Sequence, residues 1–437
     1  MTCRTHSGPA ALRSTLASLL TFLLMCQLHC AGGQRRSKRP PPTLVGIQRS
    51  HDILTARRTT LWRSKFPFRN VGVNIPDLLQ RFLQGEDTSA VRALADARLA
   101  GVRFVRCWGT TWDPILFKTF DTDRSRWFAA FDRMLAAADD EGIAVVPVLL
   151  ANIRMLPDYA NSAQHVHEDI LTYVTPGSVS NRLAVSYVTE VVSRYKEDPR
   201  VLFWEIGNEY NLEADLSGMP SRQTDLPSPT SDQIRAFLAQ IGTVIKSVDK
   251  RHLISSGNGE MRPNAWGLRQ AVLGHRTPVG STGAMFTGPI QGDTFPQYVE
   301  MLEFFSPAPL SVLSTHQAPK GDKQPYWLMP EDTRALMVPW TARAAETIGK
   351  PLFVGSIRQA YTAEGKELPC PWIKDFLTRL TIGSVQVGAL SSWEPLTGGS
   401  DSLFVLSPTI TPELVRSLGT ANQGILTDSI GTVEPDK

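Results

Sequence analysis

Short apolar runs alternate with helix-length amphipathic segments along most of this 437-residue chain, and this alternation constrains its fold more than any other feature. Eight apolar runs are strand candidates, at residues 70–75, 102–107, 143–150, 201–204, 253–256, 311–316, 351–355 and 385–391. Amphipathic patterns predict helices at residues 88–100, 125–141, 183–195, 231–248, 342–348 and 372–382. Strands that alternate with helices predict a mainly parallel sheet, and eight of them predict an α/β fold closed into a (β/α)8 TIM barrel.

The structural alternative to a barrel is a doubly wound open sheet. Folds of that kind usually bind a nucleotide through a glycine-rich turn after the first strand. The first strand here ends in Gly72-Val73-Asn74, which supplies no such turn. The sequence therefore favours the barrel.

The fourth apolar run, in the segment VLFWEIGNEY, ends abruptly in Gly207, Asn208 and Glu209. In a parallel barrel the carboxyl ends of the strands carry the chemistry. A carboxylate there, beside an amide able to bond a hydroxyl, can protonate a departing sugar oxygen. This triplet is the first candidate site.

The termini divide the chain into four predicted parts. Residues 1–33 have Arg4 and Arg13 before a short apolar core and small residues after it, which predicts a cleaved signal peptide and a secreted protein without stable membrane insertion. Lipid attachment at Cys30 is the alternative. Residues 34–60 are predicted as a basic, proline-rich linker, 61–400 as the barrel and 401–437 as a C-terminal tail.

Composition excludes several functional classes. A net charge of +3 over 437 residues does not suit a dedicated nucleic-acid binder. No zinc-ligand spacing or phosphate-binding glycine loop occurs, so we expect no metal and no cofactor. Cys107 and Cys370 lie beyond the signal segment, and they form either one disulfide or two free thiols. Nothing indicates an oligomeric state.

Polar and aromatic residues at further strand ends carry a family resemblance. The second strand reads VRFVRCW, which includes Arg106 and Trp108; the sixth ends in His316, and the eighth is followed by Trp393. Together with Asn208 and Glu209 they make residues 69–395 resemble a clan A glycoside hydrolase, most similar to the cellulase and endo-β-mannanase family (family five-like). The resemblance implies that Glu209 is the acid/base, that Asn208 and Arg106 support it, and that Trp108, His316 and Trp393 bind substrate.

The seventh strand departs from the pattern of this family. It reads GKPLFVGSIRQAY, with Ser356 where the resemblance implies a nucleophilic glutamate. A retaining glycosidase needs two carboxyl groups roughly 5 Å apart, and a serine would need a base within reach. Arg358 shares a strand face with Ser356, but arginine stays protonated. Glu260 and Glu394 are alternative carboxylates, and an inverting reaction could use a more distant one.

Two functions follow from these residues. The first is a secreted glycoside hydrolase-like protein that acts on an oligo- or polysaccharide with β-linked mannan- or glucan-type units. The alternative is a pseudoglycosidase that binds the carbohydrate without retaining hydrolysis. Trp112 is a further stacking candidate, Asn152 a candidate ligand, and two predicted long loops, 155–178 and 257–298, would shape the subsites.

Overall fold

The computed structural model describes residues 52–216, 228–274, 292–317, 337–357 and 418–424, together with Arg416 and the strand backbone at 387–392. The predicted signal peptide and the residues Arg358, Cys370, Trp393 and Glu394 lie outside these ranges, as does the predicted helix at 372–382. The compact unit that holds the sheet begins at Ser50.

Eight parallel strands form the predicted barrel sheet. In chain order they are β4 (Asn70–Asn74), β5 (Phe104–Trp108), β6 (Ala144–Leu150), β7 (Trp204–Gly207), β8 (Ile254–Ser255), β9 (Leu313–Gln317), β10 (Leu352–Ile357) and β11 (Val387–Ser392). Their order in the sheet is β8-β7-β6-β5-β4-β11-β10-β9. A parallel bridge between Ser255 and Val312 connects the two edges, with backbone hydrogen bonds from 311 and 312 to Ile254 O. The sheet therefore joins its own edge, as a (β/α)8 barrel requires.

Helices follow the strands on the outside of the sheet. They are α1 (Leu78–Gln84), α2 (Asp87–Leu99), α3 (Pro114–Thr122), α4 (Arg124–Asp140), α5 (Met155–Gln164), α6 (Ile170–Val174), α7 (Val179–Tyr195), α8 (Ser231–Val248), α9 (Ala265–Val272), α10 (Phe295–Phe304) and α11 (Met337–Ile348). Helix α8 has the predicted bounds, and a capping box formed by Thr230 and Gln233 fixes its start. Among these helices none is long and apolar enough to cross a membrane.

The predicted loop at 155–178 is mostly helical. It contains α5 and α6, and α6 begins at a capping box formed by Asp169 and Thr172. Polar side chains in this segment cap helices, whereas the sequence prediction treated them as loop residues. Part of the second predicted loop, 257–298, is likewise helical, in α9 and the start of α10.

A small antiparallel sheet precedes the barrel and packs into its interior. Its strands are β1 (Thr55–Arg57), β2 (Thr60–Arg63) and β3 (Phe66–Pro67). Leu54, Leu61 and Phe68 join one apolar cluster with inward residues of the barrel strands, including Phe104 and Phe353. Residues 52–60 of the predicted linker thus include buried apolar side chains, of which Leu54 packs in the cluster of the barrel strands.

Part of the predicted C-terminal tail also packs on the barrel. Residues 418–424 are helical, and Asn422 is fully buried there. Its Oδ1 accepts hydrogen bonds from Asn70 Nδ2 and Val71 N, each 2.9 Å long. Its Nδ2 donates to Val71 O over 3.0 Å. A single buried amide, which periodicity does not reveal, thus anchors this segment of the predicted tail to β4.

Candidate active site

Arg106 on β5 connects two other strands at the candidate site, β4 and β7, and the turn that follows β7. Its Nε donates to Glu205 Oε1 at 2.6 Å, its Nη1 to Asn74 Oδ1 at 3.1 Å and its Nη2 to Asn208 Oδ1 at 3.0 Å. The side chains of Arg106 and Glu205 are 2% and 0% exposed. A buried charge is tolerated only when it is paired and hydrogen-bonded, and the fork of the guanidinium meets both conditions here. The predicted supporting role of Arg106 therefore has a geometric basis, since it holds the Asn208 amide.

Glu209 occupies an unusual backbone conformation directly after β7. Its φ is 61° and its ψ 27°, in the left-handed region that residues other than glycine seldom adopt. Its N–H donates to Gly257 O over 2.7 Å, and its carbonyl accepts from Leu212 N over 2.9 Å. Such conformations cost about 1–3 kcal/mol and persist where the surroundings enforce them, often at functional sites. This turn fixes where the carboxylate projects.

The Glu209 carboxylate is paired with His316 from β9. The Nδ1 of His316 lies 2.7 Å from Glu209 Oε1, and the two side chains are 4% and 23% exposed respectively. Burial lowers the pKa of His316, an effect that its hydrogen bond with Glu209 opposes. The lowered pKa keeps the imidazole neutral near pH 7, with Nδ1 and Glu209 Oε1 at hydrogen-bonding distance.

The loop after β8 supports the turn at Glu209. Ser314 Oγ accepts hydrogen bonds from Gly257 N at 2.8 Å and from Asn258 N at 2.9 Å. Asn211 bonds both backbone groups of Gly259, accepting from its N–H over 2.8 Å and donating to its carbonyl over 3.2 Å. Strands β7, β8 and β9 are thus joined around one carboxylate.

Ser356 lies near the carboxyl end of β10, the seventh strand of the barrel, which passes the His316 ring. It is the register partner of His316 and the one partly exposed residue of that strand. A Cβ atom built on the preceding Gly355 would stand 2.9 Å from His316 Nε2. The register therefore places Ser356 beside His316 on the neighbouring strand.

Two tryptophans extend the cleft on the side of β5. Trp108 stacks on the guanidinium of Arg106 at 5.2 Å, and its ring centroid lies 5.6 Å from that of Trp112, at an interplanar angle of 31°. Trp112 is 49% exposed. The Asn152 amide donates to Trp112 O and accepts from Arg154 N.

Sequence reasoning missed two members of this network, Asn74 and Glu205. Asn74 also donates to Gly355 O over 3.2 Å and so connects β4 with β10. The position of Asn74 at the end of the first apolar run could have identified it. Glu205 alternates with Trp204 and Ile206, and this alternation could have identified Glu205 as an inward-facing residue.

Within the described residues no cluster of three or more histidine, cysteine or acidic side chains could hold a metal ion. Cys107 is buried and free, with its pKa raised to about 12 by burial.

Comparisons with known proteins find similarity to mannan endo-1,4-β-mannosidases. A scan against models of protein families finds no match. The chain is 26% identical to mannan endo-1,4-β-mannosidase 8 of Oryza sativa over 220 residues, which is 46% of this chain and 54% of that protein. It is 28% identical over 134 residues to a probable mannan endo-1,4-β-mannosidase C of Aspergillus terreus, covering 29% of this chain and 31% of that one. The chain thus spans about a third to a half of the length of these curated relatives.

A solved structure supports the architecture. The endo-1,4-β-mannanase of Rhizomucor miehei superposes with a TM-score of 0.59 at 16% identity, covering 86% of this chain and all of that one. Similarity at this level of identity establishes the fold. The chain therefore has the (β/α)8 barrel architecture that its sequence predicts.

Proposed function

We propose that this protein is a glycoside hydrolase-like barrel that binds a β-linked glycan of mannan or glucan type, with Glu209 in the acid/base position and no nucleophile for ordinary retaining hydrolysis. The observation that carries this proposal is Ser356, which lies on the seventh strand beside the Glu209–His316 pair. Half of a retaining site is complete, and the other half has a hydroxyl in place of a carboxylate.

The complete half has what protonation of a glycosidic oxygen requires. Glu209 is partly exposed to the cleft, and its position is fixed by the turn after β7. His316 Nδ1 lies 2.7 Å from its Oε1 and orients the carboxyl group. The amide of Asn208, held by Arg106, is placed to hydrogen-bond a sugar hydroxyl.

The other half lacks negative charge. An oxocarbenium-like transition state is stabilised by a second carboxylate, which also forms the glycosyl intermediate. A serine hydroxyl provides neither the charge nor a comparable leaving group. Binding without ordinary retaining turnover is therefore the function that these residues support.

The substrate class rests on the relatives and on the aromatic wall. Both curated relatives are named as mannan endo-1,4-β-mannosidases. Trp108 and Trp112 offer rigid faces on which pyranose rings can stack, at a small cost in conformational entropy. We assign Trp393 to the same glycan site on the basis of the resemblance alone.

Chemical rescue tests this proposal. Activated β-mannosides and β-glucosides are incubated with the wild-type protein and with Ser356→Glu, with and without azide or formate. We expect negligible turnover by the wild type alone, and turnover in the presence of either anion or in Ser356→Glu. Glu209→Gln is the matched control, since removal of the proton donor should abolish the rescue for poor leaving groups. Wild-type turnover without an added anion that Glu209→Gln abolishes would overturn the binding-only proposal.

A second candidate function is hydrolysis with a displaced carboxylate. Gly259 approaches Glu209 so closely that a Cβ on it would lie 3.1 Å from Glu209 Cγ, and Glu260 is the next residue. An inverting reaction tolerates carboxyl separations of roughly 6.5–9.5 Å. If Glu260 is the base, Glu260→Gln abolishes intrinsic turnover, and nuclear magnetic resonance detects inversion at the anomeric carbon of the first product.

We also propose that the protein is secreted after cleavage close to residue 33, from the sequence of residues 1–33 alone. Amino-terminal sequencing of the exported protein tests this. A mature chain that retains the first 33 residues, or that is lipid-modified at Cys30, would contradict it.

A further inference from the structure

His316 has one ring nitrogen that the Glu209 pair does not use. The residue is 3% exposed, and its Nε2 has no hydrogen-bond partner among the described residues. A buried polar atom without a partner costs about 1–3 kcal/mol, so its retention requires an explanation.

The unpartnered nitrogen faces the strand that carries Ser356. Gly355 lies against the ring edge, where a Cβ would stand 2.9 Å from Nε2 and 3.1 Å from Cδ2. The register pairs Ser356 directly with His316 after an irregularity in β10. Ser356 is the partly exposed residue of β10, next to Gly355 and in register with His316.

The protonation pattern suits a base at this nitrogen. When Glu209 is ionised, its Oε1 accepts a hydrogen bond from Nδ1–H of the neutral ring, and this tautomer leaves the Nε2 lone pair free. The charged groups that face His316 are Glu209 and Glu205 from β7 and its turn, and Arg106 from β5. Burial lowers the pKa of His316 and keeps the ring neutral and basic near pH 7.

We propose that Ser356, His316 and Glu209 form a nucleophile, general base and orienting carboxylate that cleave esters, with acyl-substituted glycans as the substrate class. In this proposal the three residues take the roles of a serine-hydrolase triad, and they come from the carboxyl ends of three different strands. Contacts between nucleophile and base are commonly longer in free enzymes than in complexes. The glycan part of this inference rests on the proposed function, whereas the ester chemistry does not.

The reaction is a two-step acyl transfer. Ser356 Oγ attacks the ester carbonyl carbon as its proton passes to His316 Nε2, and collapse of the tetrahedral adduct breaks the bond to the sugar oxygen, which takes that proton. Water then gives a proton to Nε2 and attacks the acyl-serine, and Ser356 Oγ leaves with the proton. The sum is ester plus water giving carboxylic acid plus sugar hydroxyl.

Covalent labelling and ester turnover test the inference on the full-length protein. We expect a fluorophosphonate probe to modify Ser356, identified by peptide mass spectrometry, and p-nitrophenyl acetate to be hydrolysed. Ser356→Ala should abolish the adduct, and Glu209→Gln should lower both rates by about 100-fold or more because the imidazole loses its orienting charge. Ser186→Ala on α7 is the matched control and should behave as wild type.

Ester turnover should rise with pH through the pKa of His316, because Nε2 must be deprotonated to accept the serine proton. An adduct that persists in Ser356→Ala, or a folded wild type with neither adduct nor turnover, would overturn the inference. The ester probes contain no sugar, so their failure leaves the glycan proposal standing. Failure of chemical rescue on glycosides likewise leaves the ester result unaffected.

Discussion

At the scale of single residues, the site is organised by two pairs, the buried pair Arg106–Glu205 and the pair of the buried His316 with the partly exposed Glu209. The strand-end positions and the family resemblance together predicted Arg106, His316 and Glu209 as site residues. Sequence reasoning did not identify Glu205 as the partner of Arg106, because residues 99 positions apart are joined only by the barrel. Nor did it consider His316 as a base for the Ser356 hydroxyl, because the two residues are 40 positions apart and only the register of neighbouring strands brings them together.

Removal of the Arg106 charge should destabilise the fold strongly. Arg106→Met leaves Glu205 buried without its counter-ion, and we expect a loss of about 3–5 kcal/mol in the free energy of unfolding. Urea denaturation followed by circular dichroism measures it. The double variant Arg106→Met/Glu205→Leu should recover much of the loss, since it removes both charges.

A surface ion pair provides the control for that change. Arg194 and Asp132 are 2.6 Å apart with side chains 48% and 43% exposed. Arg194→Met should cost no more than about 1 kcal/mol. Equal losses in the two single variants would contradict the assignment of the Arg106 pair as a buried support of the site.

At the scale of elements, the loop after β8 determines where the β7 turn places Glu209. Gly257 has a φ of +77°, and a Cβ on it would lie 1.8 Å from Gly207 O. The strand–helix pattern predicted both elements but gave no sign of this contact, because backbone approach between two loops leaves no periodicity. Gly257, the first glycine of SSGNGE, is the sequence feature that reflects this contact.

Gly257→Ala should therefore perturb the site as well as the stability. The added methyl group must displace the Gly207 carbonyl, and we expect a loss of well over about 1 kcal/mol in unfolding free energy together with weaker glycan binding. Gly274→Ala is a matched control, since Gly274 also has a left-handed φ of +72° but no atom within 4 Å of the added Cβ. A comparable effect of both substitutions in thermal unfolding would show that backbone strain alone, without the contact, accounts for the loss.

At the scale of the whole molecule, buried polar groups remote from the cleft hold the barrel together. Asp249, after α8, accepts from Trp204 Nε1 on β7 over 2.7 Å and lies 2.6 Å from His252 Nδ1. Although burial opposes ionisation, the hydrogen bonds from His252 and Trp204 lower the pKa of Asp249 to about 2. The ionised carboxylate is thus favoured by folding.

This shift predicts an acid-sensitive contribution to stability. The folded pKa of Asp249 lies below its unfolded value near 3.8, so the contribution is complete above that value and is lost as pH falls through about 2. It amounts to roughly 2 kcal/mol. The difference in unfolding free energy between wild type and Asp249→Asn should therefore shrink between pH 5 and pH 2, and a constant difference across that range would refute the assignment.

The sequence by itself determined the barrel, because the period of its apolar residues is a local property that each strand and helix displays on its own. It also determined which strand ends carry the polar residues, because chain order and strand direction fix one shared edge. Only the tertiary structure decided which side chains meet there. The pairing of Glu209 with His316 spans 107 residues, and that of Arg106 with Glu205 spans 99. Contacts of this kind depend on barrel closure and register, and no local pattern encodes either.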